Sequence, residues 1–261
     1  MPVVASAPLP VYFRLLLTER NGDVSTATTE GNSALCLCGP WYLLIRRLQS
    51  LTGLMFGGYL LVHLVVNATI AQGGSHYQQQ VDKIHSLPFL QAIEWGAIFL
   101  PLLFHAIYGI WITVNGRPNV GNYPYTRNNL YLLQRISAII ILLFVLFHVL
   151  SLKYQMFGPE LAFVPEGGAM SSIARHMHAS WLLPAVIYPI GVLAAACHTA
   201  NGLWAAAITW GLTISAASQR RFGWICVGLF VAMTIVGMVS VIAAANLNPS
   251  AQSVVAFSAA K

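Results

Sequence analysis

The stretch AAACHTANGLW (residues 194–204) sets a histidine, His198, deep inside an apolar run that begins near Trp181. Asn201 and Gly202 follow it closely, as if a turn were coming. Whether His198 is a stray polar residue or one of a set depends on what the rest of the chain is. Of its 261 residues 57% are hydrophobic and 8% are charged, and mean hydropathy is +0.69. Soluble domains carry about 25% charged residues. The composition is that of an integral membrane protein.

A membrane-spanning helix needs about 20 mainly apolar residues. Five segments qualify, at about 48–71, 88–115, 130–156, 179–215 and 223–245. The fourth is longer than a span requires, so it should tilt or protrude, with Pro184 and Pro189 kinking its outer part. Residues 1–43 form an amino-terminal extension, 44–246 the transmembrane domain and 247–261 a short tail. The first residues lack a basic segment followed by a long apolar core, so no cleavable signal peptide is evident.

Arginine and lysine set the direction. Arg14, Arg20, Arg46, Arg47, Arg117, Arg127, Arg135, Arg220 and Arg221 fall on one side of the spans, and Lys83, Lys153, Arg175 and Lys261 on the other. The first side is expected to be cytoplasmic, with the amino terminus inside and the tail outside. The formal charge of +6 does not mark nucleic-acid binding, because the basic residues are spread over the loops. Cys36 and Cys38 form a CxC with no second pair, which argues against a zinc or iron–sulfur site. Cys197 and Cys226 lie in apolar segments, where cysteine behaves as a small hydrophobe.

Of the eight histidines, His76, His85, His176 and His178 fall in outer loops and are expected to be solvent-exposed. His63, His105, His148 and His198 fall one in each of the first four spans. An imidazole in hydrocarbon must satisfy its nitrogens, so intramembrane histidines point to function. Depth sorts them at about 1.5 Å of rise per residue. His63 comes about 16 residues after Arg47 on an ascending helix, and His148 shortly before Lys153 on another, which puts both in the outer half. His105 and His198 lie about 17 residues down two descending helices, in the inner half.

Two histidines at one depth on facing helices are what bis-histidine haem ligation requires. Zinc would more often recruit Cys, Asp or Glu as well. The pattern predicts an all-α membrane protein whose first four helices form a bundle around two haems, stacked roughly 10–15 Å apart by the same rise. Gly53, Gly57, Gly58 and Gly109 would let helices or a flat macrocycle approach closely. A transporter would instead show acids or broken helices near the midplane, and these spans contain few of either.

Several phrases then converge: RLQSLTG (47–53), HLVVN (63–67), SLPF (86–89), FLPLLFHAIYGIW (99–111), GNYPYTRN (121–128), LQR (133–135), FHV (147–149) and HTANGLW (198–204). Together they resemble the succinate dehydrogenase cytochrome b558 family of the Bacillus-like type, over about residues 45–245. Fumarate reductase cytochromes b are more distant relatives and the alternative reading, along with other respiratory oxidoreductases. Hydrogenase and formate dehydrogenase anchors tend to put two ligands on one helix, which is not the pattern here.

The resemblance implies a five-helix anchor in the bacterial cytoplasmic membrane, carrying two haems b and serving the respiratory chain and the tricarboxylic acid cycle. It docks a flavoprotein subunit, which holds FAD and oxidises succinate, and an iron–sulfur subunit. Electrons reach a quinone, menaquinone in the di-haem type. By the resemblance, His63 and His148 hold the outer haem, and His105 and His198 the inner one. It also makes Gln49 and Ser50 contacts of haem propionates. Arg135 is a further candidate for that role, as are Arg175 and His176 for the outer haem. Glu94, the acid inside the second span, is a candidate for quinone protonation. Some fumarate reductases of this class have a glutamate two residues before the fourth-helix histidine; Ala196 stands there, which removes that proton route.

Overall fold

The computed structural model describes residues 40–248, and Cys36, Cys38, Arg14, Arg20 and Lys261 lie outside the described residues. Among the described residues there is helix and connecting turn, and no strand. We label the helices α1 (Pro40–Ala68), α2 (Gly74–His85), α3 (Leu90–Asn115), α4 (Thr126–Leu152), α5 (Ala169–His178), α6 (Leu183–Thr209) and α7 (Ala216–Ala245). Five of them, α1, α3, α4, α6 and α7, are long and apolar enough to cross a membrane.

The ends of the spans differ from those hydropathy predicts, each for a local reason. A 3-10 turn extends the first helix to Gln72, where Gly73 at φ +113° breaks it. The second starts at Leu90, because Phe89 adopts a left-handed conformation. The third runs from Thr126 to Leu152, its polar first turn being helical before the apolar stretch begins. The fourth ends at Thr209, just before Gly211 at φ +73°. The fifth begins at Ala216, where Ser215 and Ser218 cap each other's backbone reciprocally.

Proline shapes two spans. Pro101 and Pro189 lack an N–H, so the carbonyl one turn before each loses its helical partner. A π-helical segment precedes each of them, Glu94–Phe99 in α3 and Leu183–Ile187 in α6. These widened turns let the chain stay helical past the proline. His198, Asn201 and Gly202 all lie within the unbroken helix Tyr188–Thr209.

Helix α6 packs against α7, α4 and α1, while α1 also packs on α3 and α7. Large apolar side chains line the outside, with Val62, Leu143 and Ile242 each about 60% exposed or more. Such a surface suits lipid and not water. The two ends of the bundle are unlike. At the basic end, Arg47 lies over the Trp210 ring, 5.8 Å from its centroid, and Arg127 donates to Gln219 Oε1 at 2.8 Å.

The opposite end is capped by α2, α5 and the 153–182 connection. Its core joins Ile70, Tyr77, Val81, Ala169, Met170 and Met177 to Val192, Val241 and Ala244 of the spans. Gln78 ties this cap together. It donates to the Pro165 carbonyl at 2.6 Å and accepts from the Ala169 N–H at 3.0 Å, at the start of α5. Burial holds the Tyr77 hydroxyl up at a pKa of about 12.

Close helix approach rests on glycine at particular points. A Cβ on Gly191 of α6 would stand 2.6 Å from the Phe144 ring of α4. Gly191→Ala should therefore lower stability by about 1–3 kcal/mol, read as a fall in the thermal midpoint in detergent. Gly228→Ala meets nothing within 4 Å and should show no such loss.

Candidate functional site

Each of the four spanning histidines meets another. The rings of His63 (α1) and His148 (α4) lie 5.9 Å apart, edge to face. Those of His105 (α3) and His198 (α6) lie 6.2 Å apart in the same manner. The first pair sits toward the capped end, and the second toward the basic end, beside Gln49 and Gln134.

The partners of these rings assign their tautomers. His105 Nδ1 faces the Gln49 carbonyl at 3.0 Å, and His198 Nδ1 faces the Gln134 carbonyl at 3.2 Å. A carbonyl only accepts, so in both rings Nδ1 carries the proton and Nε2 keeps its lone pair. At His63 the Asn67 carboxamide nitrogen donates to the His63 carbonyl at 2.8 Å and lies 3.4 Å from Nε2, which therefore accepts.

His148 is fixed through a longer chain. His176 Nδ1 faces the Leu161 carbonyl at 2.9 Å, so its Nε2 accepts from the Tyr188 hydroxyl at 2.8 Å. The Tyr188 oxygen can then accept from His148 Nδ1, 3.2 Å away, which leaves His148 Nε2 bare. All four imidazoles thus carry Nδ1 protonated and Nε2 with its lone pair; on His63 that lone pair accepts from Asn67.

The inner pair is built twice over from one pattern. Gln49 donates from Nε2 to the His105 carbonyl at 3.1 Å, while His105 Nδ1 donates back to the Gln49 carbonyl. Gln134 and His198 repeat both bonds, and Gln134 Oε1 also accepts from Asn201 at 2.8 Å. The sequence carries the same repeat. One offset separates Gln49 from His63 and Gln134 from His148, and His105-x-x-x-Gly-Ile-Trp matches His198-x-x-x-Gly-Leu-Trp. Tyr59 and Phe144 occupy equivalent positions, each with its ring 5.6 Å from the histidine that follows.

Other residues singled out from the sequence lie as follows. Gly53 faces the His105 ring, where a Cβ would come within 2.6 Å of Cε1. Gly57 faces Thr199 and Gly109 faces Gln49, whereas Gly58 has nothing near it. Ser50 Oγ accepts from Trp210 Nε1 at 3.0 Å. Arg135 reaches the Ile112 carbonyl at 2.9 Å and the Tyr131 hydroxyl, and its Nε is buried without a partner. Gln49 Oε1 is likewise buried and unpaired. Arg175 is exposed on α5. Glu94 pairs with Lys153 near the capped end. Ala196 is buried among the helices.

One expectation is corrected. His176 is not solvent-exposed; at 1% exposure it is among the most buried side chains. The helix that carries it packs on α2, α7 and the start of α6, and burial pushes its imidazole below the ordinary histidine range against the pull of the Leu161 carbonyl. Gln134, Asn67 and Tyr188 are the partners not anticipated from the sequence, and His176, a propionate candidate there, meets Tyr188 instead. The repeated glutamine–histidine offset would have revealed Gln134; Tyr188 and His176 had no comparable signal.

Five apolar helices around two cross-helix histidine pairs define a multi-pass membrane protein of the cytochrome b anchor type. The chain is 39% identical over 202 residues to the succinate dehydrogenase cytochrome b558 subunit of Bacillus subtilis (strain 168), a match covering 76% of this chain and 95% of that protein. It belongs to the succinate dehydrogenase cytochrome b558 subunit family. No protein-family model matches it.

The crossed bonds at Gln134 can be tested directly. Gln134→Leu removes a donor to His198 and the acceptor of Asn201, and should cost about 1–2 kcal/mol, seen as a lower thermal midpoint of the purified protein.

Proposed function

We propose that this subunit is the di-haem membrane anchor of a succinate:quinone oxidoreductase. One haem b is ligated by His105 and His198 toward the basic end, and a second by His63 and His148 toward the capped end. The observation that supports this most is the common tautomer of the four rings, each with an unprotonated Nε2 and each paired across two helices. Neutral imidazole is the ligand that cytochromes present to haem iron. Among the described residues no three His, Cys, Asp or Glu side chains converge as a structural zinc site would require.

The chain's own residues suit that cofactor in further ways. Gly53 lets the His105 ring lie directly against α1, where a Cβ would come within 2.6 Å of it. The carbonyls of Gln49 and Gln134 orient the inner rings and strengthen their donation, as outer-shell partners of ligating histidines do. Arg135 keeps a buried Nε–H without a partner, a donor that supports its assignment, with Gln49 and Ser50, to haem propionates. Arg175 is the corresponding candidate at the capped end. Each pair would hold one haem iron through the imidazole nitrogens of its two rings.

When bound, the haems supply one-electron transfer between the partner subunits and a membrane quinone. The iron–sulfur subunit, itself joined to the flavoprotein subunit where succinate is oxidised, docks on the basic end, which we assign to the cytoplasmic face of the bacterial inner membrane by its excess of arginine. The amino terminus is then cytoplasmic. Menaquinone is the acceptor we assign, with Glu94 beside Lys153 as the acid that exchanges protons with it near the capped end.

Reduced-minus-oxidised spectra with haem quantification test the ligand pairs. Wild type should hold two low-spin haems b per chain. His198→Ala should lose the inner haem and keep the outer, and His148→Ala the reverse. A colourless wild-type protein would overturn the reading. For orientation, a cysteine placed at Asn119 should resist an impermeant thiol reagent in intact cells, and one at His85 should react.

A further inference from the structure

The chain of hydrogen bonds at His148 has a direction. The His148 Nδ1–H donates to Tyr188, the Tyr188 hydroxyl donates to His176 Nε2, and the His176 Nδ1–H donates to the Leu161 carbonyl, over 3.2, 2.8 and 2.9 Å. Donors that point one way polarise one another, so each bond strengthens the next. The end of the chain is a backbone carbonyl in the 153–168 connection, and its last donor, His176, is carried by α5. The supports of the other three rings are shorter: Ser137 also meets His198 Nδ1, at 3.3 Å, and the Asn67 beside His63 accepts from Tyr77 at 3.5 Å. His105 and His198 meet a carbonyl directly, and His63 meets the carboxamide of its own helix.

Ring packing holds the chain in place. The Tyr188 ring meets His176 edge-on at 5.6 Å and Phe144 edge-on at 5.4 Å. Phe144 in turn lies along His148 at 5.6 Å. His176 is closed in on its other side by Phe147, at 6.3 Å. A tyrosine hydroxyl so enclosed has little freedom to choose other partners.

We infer that Tyr188 and His176 are positioning residues for the outer haem: they hold His148 with Nδ1 protonated, aim its Nε2, and raise its electron donation so as to favour the ferric state. This rests on the di-haem reading above. It makes the loop helix α5 a determinant of the outer haem's potential, although α5 lies outside the spans. A purely structural role, filling buried polar valences, would leave that potential unmoved.

The test is a redox titration, followed by visible absorption, of the purified succinate dehydrogenase complex carrying Tyr188→Phe. The ring is kept and only the hydroxyl is lost. The outer haem should become easier to reduce, its reduced-to-oxidised ratio at a fixed ambient potential rising roughly tenfold, in line with the lower end of outer-shell effects on metal ligands. The inner haem should titrate as in wild type. His176→Leu should shift the outer haem in the same direction, and His176→Gln, whose carboxamide oxygen can still accept from Tyr188, should return it toward wild type. This pair carries the test if Tyr188→Phe does not assemble. Selective loss of the outer haem in Tyr188→Phe and His176→Leu, with retention in His176→Gln, also supports the inference. Two haems in the variants with an unmoved outer potential overturn it. A wild-type complex without two haems overturns the di-haem reading itself.

Discussion

The structure depends on the need of a buried imidazole for a partner at each nitrogen. Water is not at hand inside an apolar bundle, and an unpaired polar group there costs several kcal/mol. The protein meets this need at Nδ1 with a neighbouring helix. His105 on α3 is tied to α1, His198 on α6 to α4, and His148 on α4 to α6. The same bonds that satisfy the rings therefore hold the helices in register. On these three rings they also leave Nε2 free, whereas His63 Nε2 accepts from Asn67 of its own helix.

Its form is a doubled unit. Helices α1 and α3 repeat in α4 and α6, down to the reciprocal bonds between a glutamine and the histidine of the next helix. The two units meet so that each histidine pair takes one ring from each. Helix α7 supplies no histidine. It buttresses α6 and α1, with Gly237 letting Val192 and Leu64 come close. This division fits an electron carrier, in which cofactor ligands must be rigid and the remaining helix need only seal the bundle.

Much of this was legible in the sequence, because its causes are local. Apolar runs of spanning length follow from composition, and the pairing of histidines follows from counting residues along straight helices. Helix ends were less legible. Hydropathy does not see that Phe89 turns left-handed or that Ser215 and Ser218 cap one another. The Gln134 bridge could have been read from the offset it shares with Gln49. The Tyr188–His176 support could not, since it forms only when the loop between α4 and α6 folds back onto the bundle, carrying in a histidine whose place in a polar segment suggests exposure. The contacts of Gln49 with His105 and of Arg135 with Ile112 were likewise hidden, because each crosses to another helix.

The central claim is that two pairs of imidazoles, prepared by their neighbours, each hold one iron. Near-infrared magnetic circular dichroism of the oxidised wild-type protein, with haem counted per chain, tests it most directly. The account predicts two low-spin haems per chain, both with the charge-transfer signature of two nitrogenous imidazole ligands. A single haem, or a high-spin or sulfur-ligated signature at either site, would contradict it.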